Sequence, residues 1–242
     1  MKKQLEFIDV TFDFRNDAGG RDVDQASPTL KRFHQLLWSK QLPSGENFLL
    51  SDKDGDSYLS FKSKSETFYL SSDSISNSYR NSKRLSPVLI GLDVEAKKFQ
   101  DVGNTIGGYI IFPSKTNEPG MSINQSRGIS KTISDRFDLT LECIRLHYLR
   151  KPNPLEDVLN RNAKFFELFN SFSDYVEFFL LQDLLNPNLE SILYFTQINE
   201  IGDWGLPRSK EEYLLYMDNS TQFTRKRNER IQKWSDNHLG KG

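Results

Sequence analysis

The sequence predicts an α+β protein in which a β-rich amino-terminal half, with an antiparallel or mixed sheet, is packed against a helical carboxyl-terminal half. Three observations lead there: short, alternating apolar segments before residue 113, a polar stretch from Ser114 to Gly120, and apolar spacings of three and four beyond it. The 242 residues are 36% hydrophobic and 12% aromatic, enough for one sizeable core, and no repeat of solenoid period is present. A single unit over 1–242 is therefore expected, with sub-lobes 1–113 and 121–238; two domains divided near Lys115 to Gly120 are the alternative.

Leu5, Phe7, Val10, Phe12 and Phe14 nearly alternate with polar residues and predict a first strand ending at Arg15. Asn16 to Ala26, with Asp17, Gly19, Gly20, Asp22 and Asp24, reads as a loop. Ser27-Pro28 then offers an N-cap followed by proline at the first helical position, predicting a helix from Pro28 to about Lys40. Between Phe48 and Leu70, three short apolar segments separated by Ser, Asp and Lys predict a β-meander. Ser71 to Arg84 is serine-rich, a loop or short helix; Val88 to Phe99 reads as another strand, and Gly107 to Phe112 as one closed by Pro113. Helical spacing then dominates over Thr132–Arg150, Pro154–Phe169, Ser173–Leu185 and Lys210–Trp234.

Lys and Arg number 32 against 33 acidic residues, so no net field draws the chain to nucleic acid or a membrane, and any anion site must be local. The single cysteine, Cys143, excludes an intramolecular disulfide and a thiolate-rich zinc site, which fits a reducing cytoplasm with no structural metal or cofactor. Glu6 interrupts the amino terminus where a signal peptide needs apolar residues, and no apolar run is long enough to span a bilayer.

Several motifs have plainer accounts. Asp52-Lys53-Asp54-Gly55-Asp56 clusters carboxylates as calcium loops do, but Ser57 and Ser63 stand where glycine and a bidentate glutamate are required, so a hairpin turn is expected. Gly103 to Gly108 leads into a strand rather than a helix, unlike a phosphate loop, and its glycines are expected to allow close backbone approach. Asp93, Glu95 and Lys97, with Asp73 upstream, resemble half of a metal-dependent nuclease site only if they lie on a strand. His34, His147 and His238 lie in no nucleophilic triad context and read as structural or surface residues.

The most informative segment is Ile133 to Arg150. On a helix, Ile133, Phe137, Leu141, Ile144 and Tyr148 form one apolar stripe, and Leu139, Cys143 and Leu146 another on nearly the opposite side. Asp135, Asp138, Glu142 and Arg145 form a charged row between them. Carboxylates flanked by core must be paired, hydrogen-bonded or protonated. Each of Asp138 and Glu142 is therefore expected to be shielded and to have an arginine partner: Arg145 for Glu142, and Arg127 or Arg136 if the Asn124 to Arg127 loop folds back.

Two functional readings follow. In the first, a cleft between the halves binds or processes an anionic ligand, a nucleotide or nucleic-acid phosphate, held by Asn124, Arg127, Arg136 and Arg145, with Asp138 or Glu142 as acid or base. In the second, the row is internal scaffold and the protein binds another macromolecule without chemistry. The basic end of the last helix, with Arg225, Lys226, Arg227, Arg230 and Lys233, would serve as its surface.

The words Ile106-Gly107-Gly108, Ile111-Phe112-Pro113, Ile123-Asn124-Gln125, Arg127-Gly128 and above all Asp135-Arg136-Phe137-Asp138-Leu139-Thr140-Leu141-Glu142-Cys143-Ile144-Arg145 resemble a family of bacterial proteins of similar length and unknown function. The likeness extends to His34, Leu37 to Lys40, Leu42-Pro43 and Phe178 to Leu184, and so takes in most of the chain. It implies a bacterial source and a single-unit protein, and carries over no catalytic residue.

Overall fold

A computed structural model describes residues 7–52, 58–79, 85–115, 119–188, 190–197 and 205–239. It is an α+β fold: a four-stranded antiparallel sheet in the amino-terminal half, with helices gathered mostly in the other half.

The chain opens without a strand. Phe14–Asn16 is a 3-10 turn, and the Phe14 N–H donates to the Asn104 carbonyl (3.0 Å) rather than to a ladder. The expected strand from Leu5 to Phe14 is thus corrected where it is described. Of the apolar residues in that alternation Phe14 is buried but Phe7 is exposed, and Ile8, outside the pattern, is buried instead, because no partner strand fixes a two-residue period here. After α1 (Val23–Ala26), α2 (Pro28–Trp38) begins as expected, with the Ser27 hydroxyl accepting from Leu30 N–H.

The meander is present as β1 (Leu50–Ser51), β2 (Leu59–Lys62) and β3 (Thr67–Ser74), joined by β4 (Tyr109–Lys115) in the order β1-β2-β3-β4. Residues 53–57, most of the calcium-like loop, lie outside the described residues. Pro113, which cannot donate to a ladder, pairs with Leu70 beside a register irregularity at Tyr69/Leu70 on the edge strand β4.

Val88 to Phe99 is helical, as α3 (Ser86–Leu89) and α4 (Asp93–Gly103), not a strand. Leu92 and Phe99, seven apart, are buried on one stripe while Val94 stays exposed, a helical pattern that the run Val88 to Leu92 disguised. Asp93, Glu95 and Lys97 therefore share no strand face; Lys97 pairs with Asp101 one turn on (2.9 Å), which removes the nuclease geometry.

The second half comprises α5 (Ile123–Ile129), α6 (Phe137–Tyr148), α7 (Glu156–Arg161), α8 (Ala163–Phe166), α9 (Phe172–Phe178) and the 29-residue α10 (Lys210–His238). The Asn124 to Arg127 segment, expected as a loop, is in α5, closed by a reciprocal capping box between Ser122 and Gln125. Helix α6 begins at Phe137, five residues later than expected, because Ser134 and Asp135 adopt left-handed backbone conformations (φ 46° and 59°).

The two halves share an aromatic core. Phe48 and Phe68 below the sheet meet Phe165 of α8 (centroids 6.5 and 6.0 Å), and Trp38 meets Phe179 (5.2 Å). Such edge-on and tilted ring contacts add stabilisation beyond the area they bury.

Candidate functional site

Helix α6 places the charged row as its stripes required. Asp138 is fully buried; Arg136 grips it with Nε (3.1 Å to Oδ1) and Nη2, and the Phe195 N–H adds a third bond (2.8 Å). The remaining Arg136 Nη1 donates to the Thr196 hydroxyl (2.6 Å) and the Gly205 carbonyl (3.1 Å). Glu142 is held bidentately by Arg145, at 2.6 and 2.7 Å. Both carboxylates thus have the arginine partner and the shielding expected of them. Asp135 departs from the row: its left-handed backbone sets it before the helix.

Arg127 organises a second network. Its Nε donates to Thr140 (3.0 Å), Nη1 to Asp73 and to the Ser74 carbonyl (3.4 Å), and Nη2 to the Asp135 carbonyl (3.1 Å) with the Asp135 carboxylate at 3.4 Å. Four hydrogen bonds and two carboxylates thus hold this fully buried guanidinium in place as framework. Burial opposes its charge, and Asp73 and Asp135 more than offset this, holding it above the ordinary arginine range. Asn124 reaches back to β3, its amide donating to Ser71 (3.2 Å) and the Ser72 carbonyl (3.0 Å). Of the six residues expected at a site, Arg145 lines a surface cleft, with Tyr148 and Phe172.

A cleft of about 560 Å³ lies over the far end of β3, walled by the segment of residues 15–24 that runs from the first 3-10 turn into α1, the segment after β3, α4 and Tyr109. Two of its lining residues are bonded to the Arg127 network. Ser74, whose carbonyl Arg127 holds, lines it, as does Asn77, whose amide donates to Asp135 (2.6 Å).

Asp24 in this cleft is a strongly perturbed carboxyl. Burial pushes its pKa up to about 8, with help from contact with the Asp22 carboxyl and from the charges of Asp22 and Asp73. Its Oδ1 is buried with no hydrogen-bond partner. The Tyr58 hydroxyl is likewise buried and unpartnered, and burial, then Asp24, raises its pKa. At the mouth, Arg15 is occupied by Asp13 and Asp101, whereas Arg21 is exposed and has no partner among the described residues. Sequence reasoning missed Arg21, Asp22 and Asp24 by reading them as loop. The available signal was Gly19-Gly20, both left-handed (φ 62° and 72°), bending a charge-dense segment over the sheet.

The remaining motifs resolve simply. His34 is fully buried, accepting from Trp38 Nε1 (3.0 Å) and facing the Ser72 hydroxyl (3.0 Å); burial, then Arg227, lowers its pKa to about 3, so it is a neutral structural histidine. Gly107 and Gly108 serve close approach: a Cβ on Gly107 would lie 2.5 Å from the Thr224 carbonyl of α10, and one on Gly108 2.0 Å from that of Gly103. In the basic end of α10, Arg227 is buried and Arg230 is paired with Asp183 (2.8 Å), while Arg225, Lys226 and Lys233 are exposed.

Fold and site together define an α+β protein with an internally neutralised arginine–carboxylate framework and polar clefts at its surface. The chain belongs to a family of unknown function, DUF6994, whose model matches residues 8–231. No curated protein and no solved structure matches it. Among the described residues no helix is long and apolar enough to cross a membrane.

Proposed function

We propose that this protein binds a small anionic ligand, of the class of a nucleotide or other phosphate ester, in the cleft over β3, and that Asp24 exchanges a proton with it. The observation that carries the reading is Asp24 itself, a carboxyl held protonated to about pH 8 whose Oδ1 is buried and unpartnered in a cleft of about 560 Å³. Strongly shifted acids in clefts are where proton-transfer chemistry concentrates, because a group with a pKa near the working pH both gives and takes protons readily. Arg21, without a partner among the described residues, supplies the cation for the anionic end, and the Asp22 carboxyl takes up the Asp24 proton's hydrogen bond. Asp138, Glu142, Arg136 and Arg127 then act as framework, and Arg127 positions the cleft through Ser74 and Asp135. The neutral overall charge and the single, buried Cys143 support a cytoplasmic setting.

The test is calorimetric titration with nucleoside mono- and diphosphates and with sugar phosphates. At least one is expected to bind, with Arg21→Gln weakening it tenfold or more and Asp24→Asn shifting the pH dependence of binding. If none binds the folded protein, or Arg21→Gln binds as the parent does, the reading is wrong.

A further inference from the structure

A second cleft of about 520 Å³ lies in the carboxyl-terminal half, at the end of α6, floored by Tyr148 and Phe166. His147 leans edge-on against Phe166 (5.4 Å, 61°), and the Tyr148 hydroxyl donates to the Phe166 carbonyl (2.8 Å), so the aromatic floor is fixed. Four charged residues line the cleft, Arg150, Lys151, Glu156 and Glu167, and none forms an ion pair among the described residues. Opposite charges around one concavity are thus held apart rather than joined.

Arg150 is placed at a conformational cost. Helix α6 ends in a Schellman motif: the Arg150 N–H donates to the His147 carbonyl (2.9 Å) and the Lys151 N–H to the Leu146 carbonyl (2.9 Å). The residue after the C-cap in this motif is left-handed, and glycine is favoured there; here it is arginine, with φ 54°. A non-glycine residue kept in that conformation with its side chain at a cleft is the pattern expected where backbone strain is tolerated for function.

We propose that this cleft is a site for a zwitterion of amino-acid size, its carboxylate held by Arg150 and Lys151, its ammonium by Glu156 and Glu167, and its apolar side chain laid on Tyr148 and Phe166. The volume falls in the range of small-molecule sites. The His147 ring nitrogens have no hydrogen-bond partner among the described residues. Burial lowers the pKa of His147 against the opposing pull of Glu156 and Glu167, so the neutral ring accepts a hydrogen bond from the ammonium without repelling it. The site is separate from the cleft over β3 and stands whether or not that one binds a phosphate.

The experiment is thermal shift and calorimetry of the full chain with the twenty α-amino acids, followed by N-acetyl and carboxamide derivatives of any that bind. An amino acid with an aromatic or large aliphatic side chain is expected to bind, and blocking either charged end should weaken it at least tenfold. Glu167→Gln should do the same. Arg150→Gly is expected to lose binding tenfold or more while raising the melting temperature by about 2–4 °C, because glycine relieves the left-handed strain. That opposite movement separates loss of the site from loss of the fold. Failure of every amino acid to bind, equal binding of the blocked forms, or unimpaired binding by Arg150→Gly would overturn the proposal.

Discussion

Asp138 and Glu142, one turn apart on the same helix, have different stakes. The Asp138–Arg136 pair is sealed, with side chains 0% and 1% exposed, so Asp138→Ala strands a buried guanidinium and is expected to cost about 3–5 kcal/mol in urea unfolding. Arg145 is 21% exposed and water can solvate it when its partner goes, so Glu142→Ala is expected to cost about 1 kcal/mol. Equal losses would show that the difference in burial does not matter. Arg145 was legible as the partner of Glu142 because it lies three residues along the same helix, whereas for Asp138 the sequence left Arg127 and Arg136 as alternatives and the fold selected Arg136, two residues away. The partner of Arg127 was not legible: Asp73 lies 54 residues away, and no local spacing encodes a contact made by docking α5 against β3. Asp135 misled for a local reason, since its left-handed φ ends the helical phase on which the row was drawn.

Among elements, α10 is fastened to the rest by backbone contact. Arg227, fully buried, spans the carbonyls of Gly107 (2.9 Å), Tyr109 (2.7 Å) and Phe179 (3.1 Å), and Asn228 accepts from the Gly107 N–H (2.6 Å). No carboxylate joins Arg227 among the described residues, and burial lowers its pKa to about 9. Gly107→Ala would press a Cβ onto the helix backbone at 2.5 Å, where no side chain can give way. It is expected to destabilise the fold by about 1–3 kcal/mol, measured by thermal or chemical unfolding, through displacement of α10. An unchanged midpoint would mean that the helix has room to move. The meander, the Ser27-capped α2 and the long last helix were legible from turn residues, caps and periodicity. The first strand and the Val88 to Phe99 strand were not, because an apolar alternation of four or five positions reports burial on one side, and strand, turn and helix can all satisfy it.

At the scale of the whole molecule, Asp24 couples stability to pH. Its pKa is about 8 in the fold against an ordinary 3.8, so between those values the folded chain holds a proton that the unfolded chain has lost. Stability conferred by this group is present in acid and is lost as pH rises through that window, with a slope of no more than roughly 1.4 kcal/mol per pH unit. Asp24→Asn is expected to melt above the parent at pH 8, with the gap closing towards pH 4; parallel pH profiles for the two proteins would contradict the assignment. The fold class, the change of texture near residue 114 and the need of the α6 carboxylates for arginines were determined by the sequence alone. Periodicity and the cost of burying charge act locally, and each is written in residues a few positions apart. Tertiary structure alone decided which charged residues were consumed as framework and which were left facing a cleft. Whether an arginine is free depends on which distant carboxylate or carbonyl the folded chain brings to it, as Asp73 is brought to Arg127 while Arg21 is left exposed.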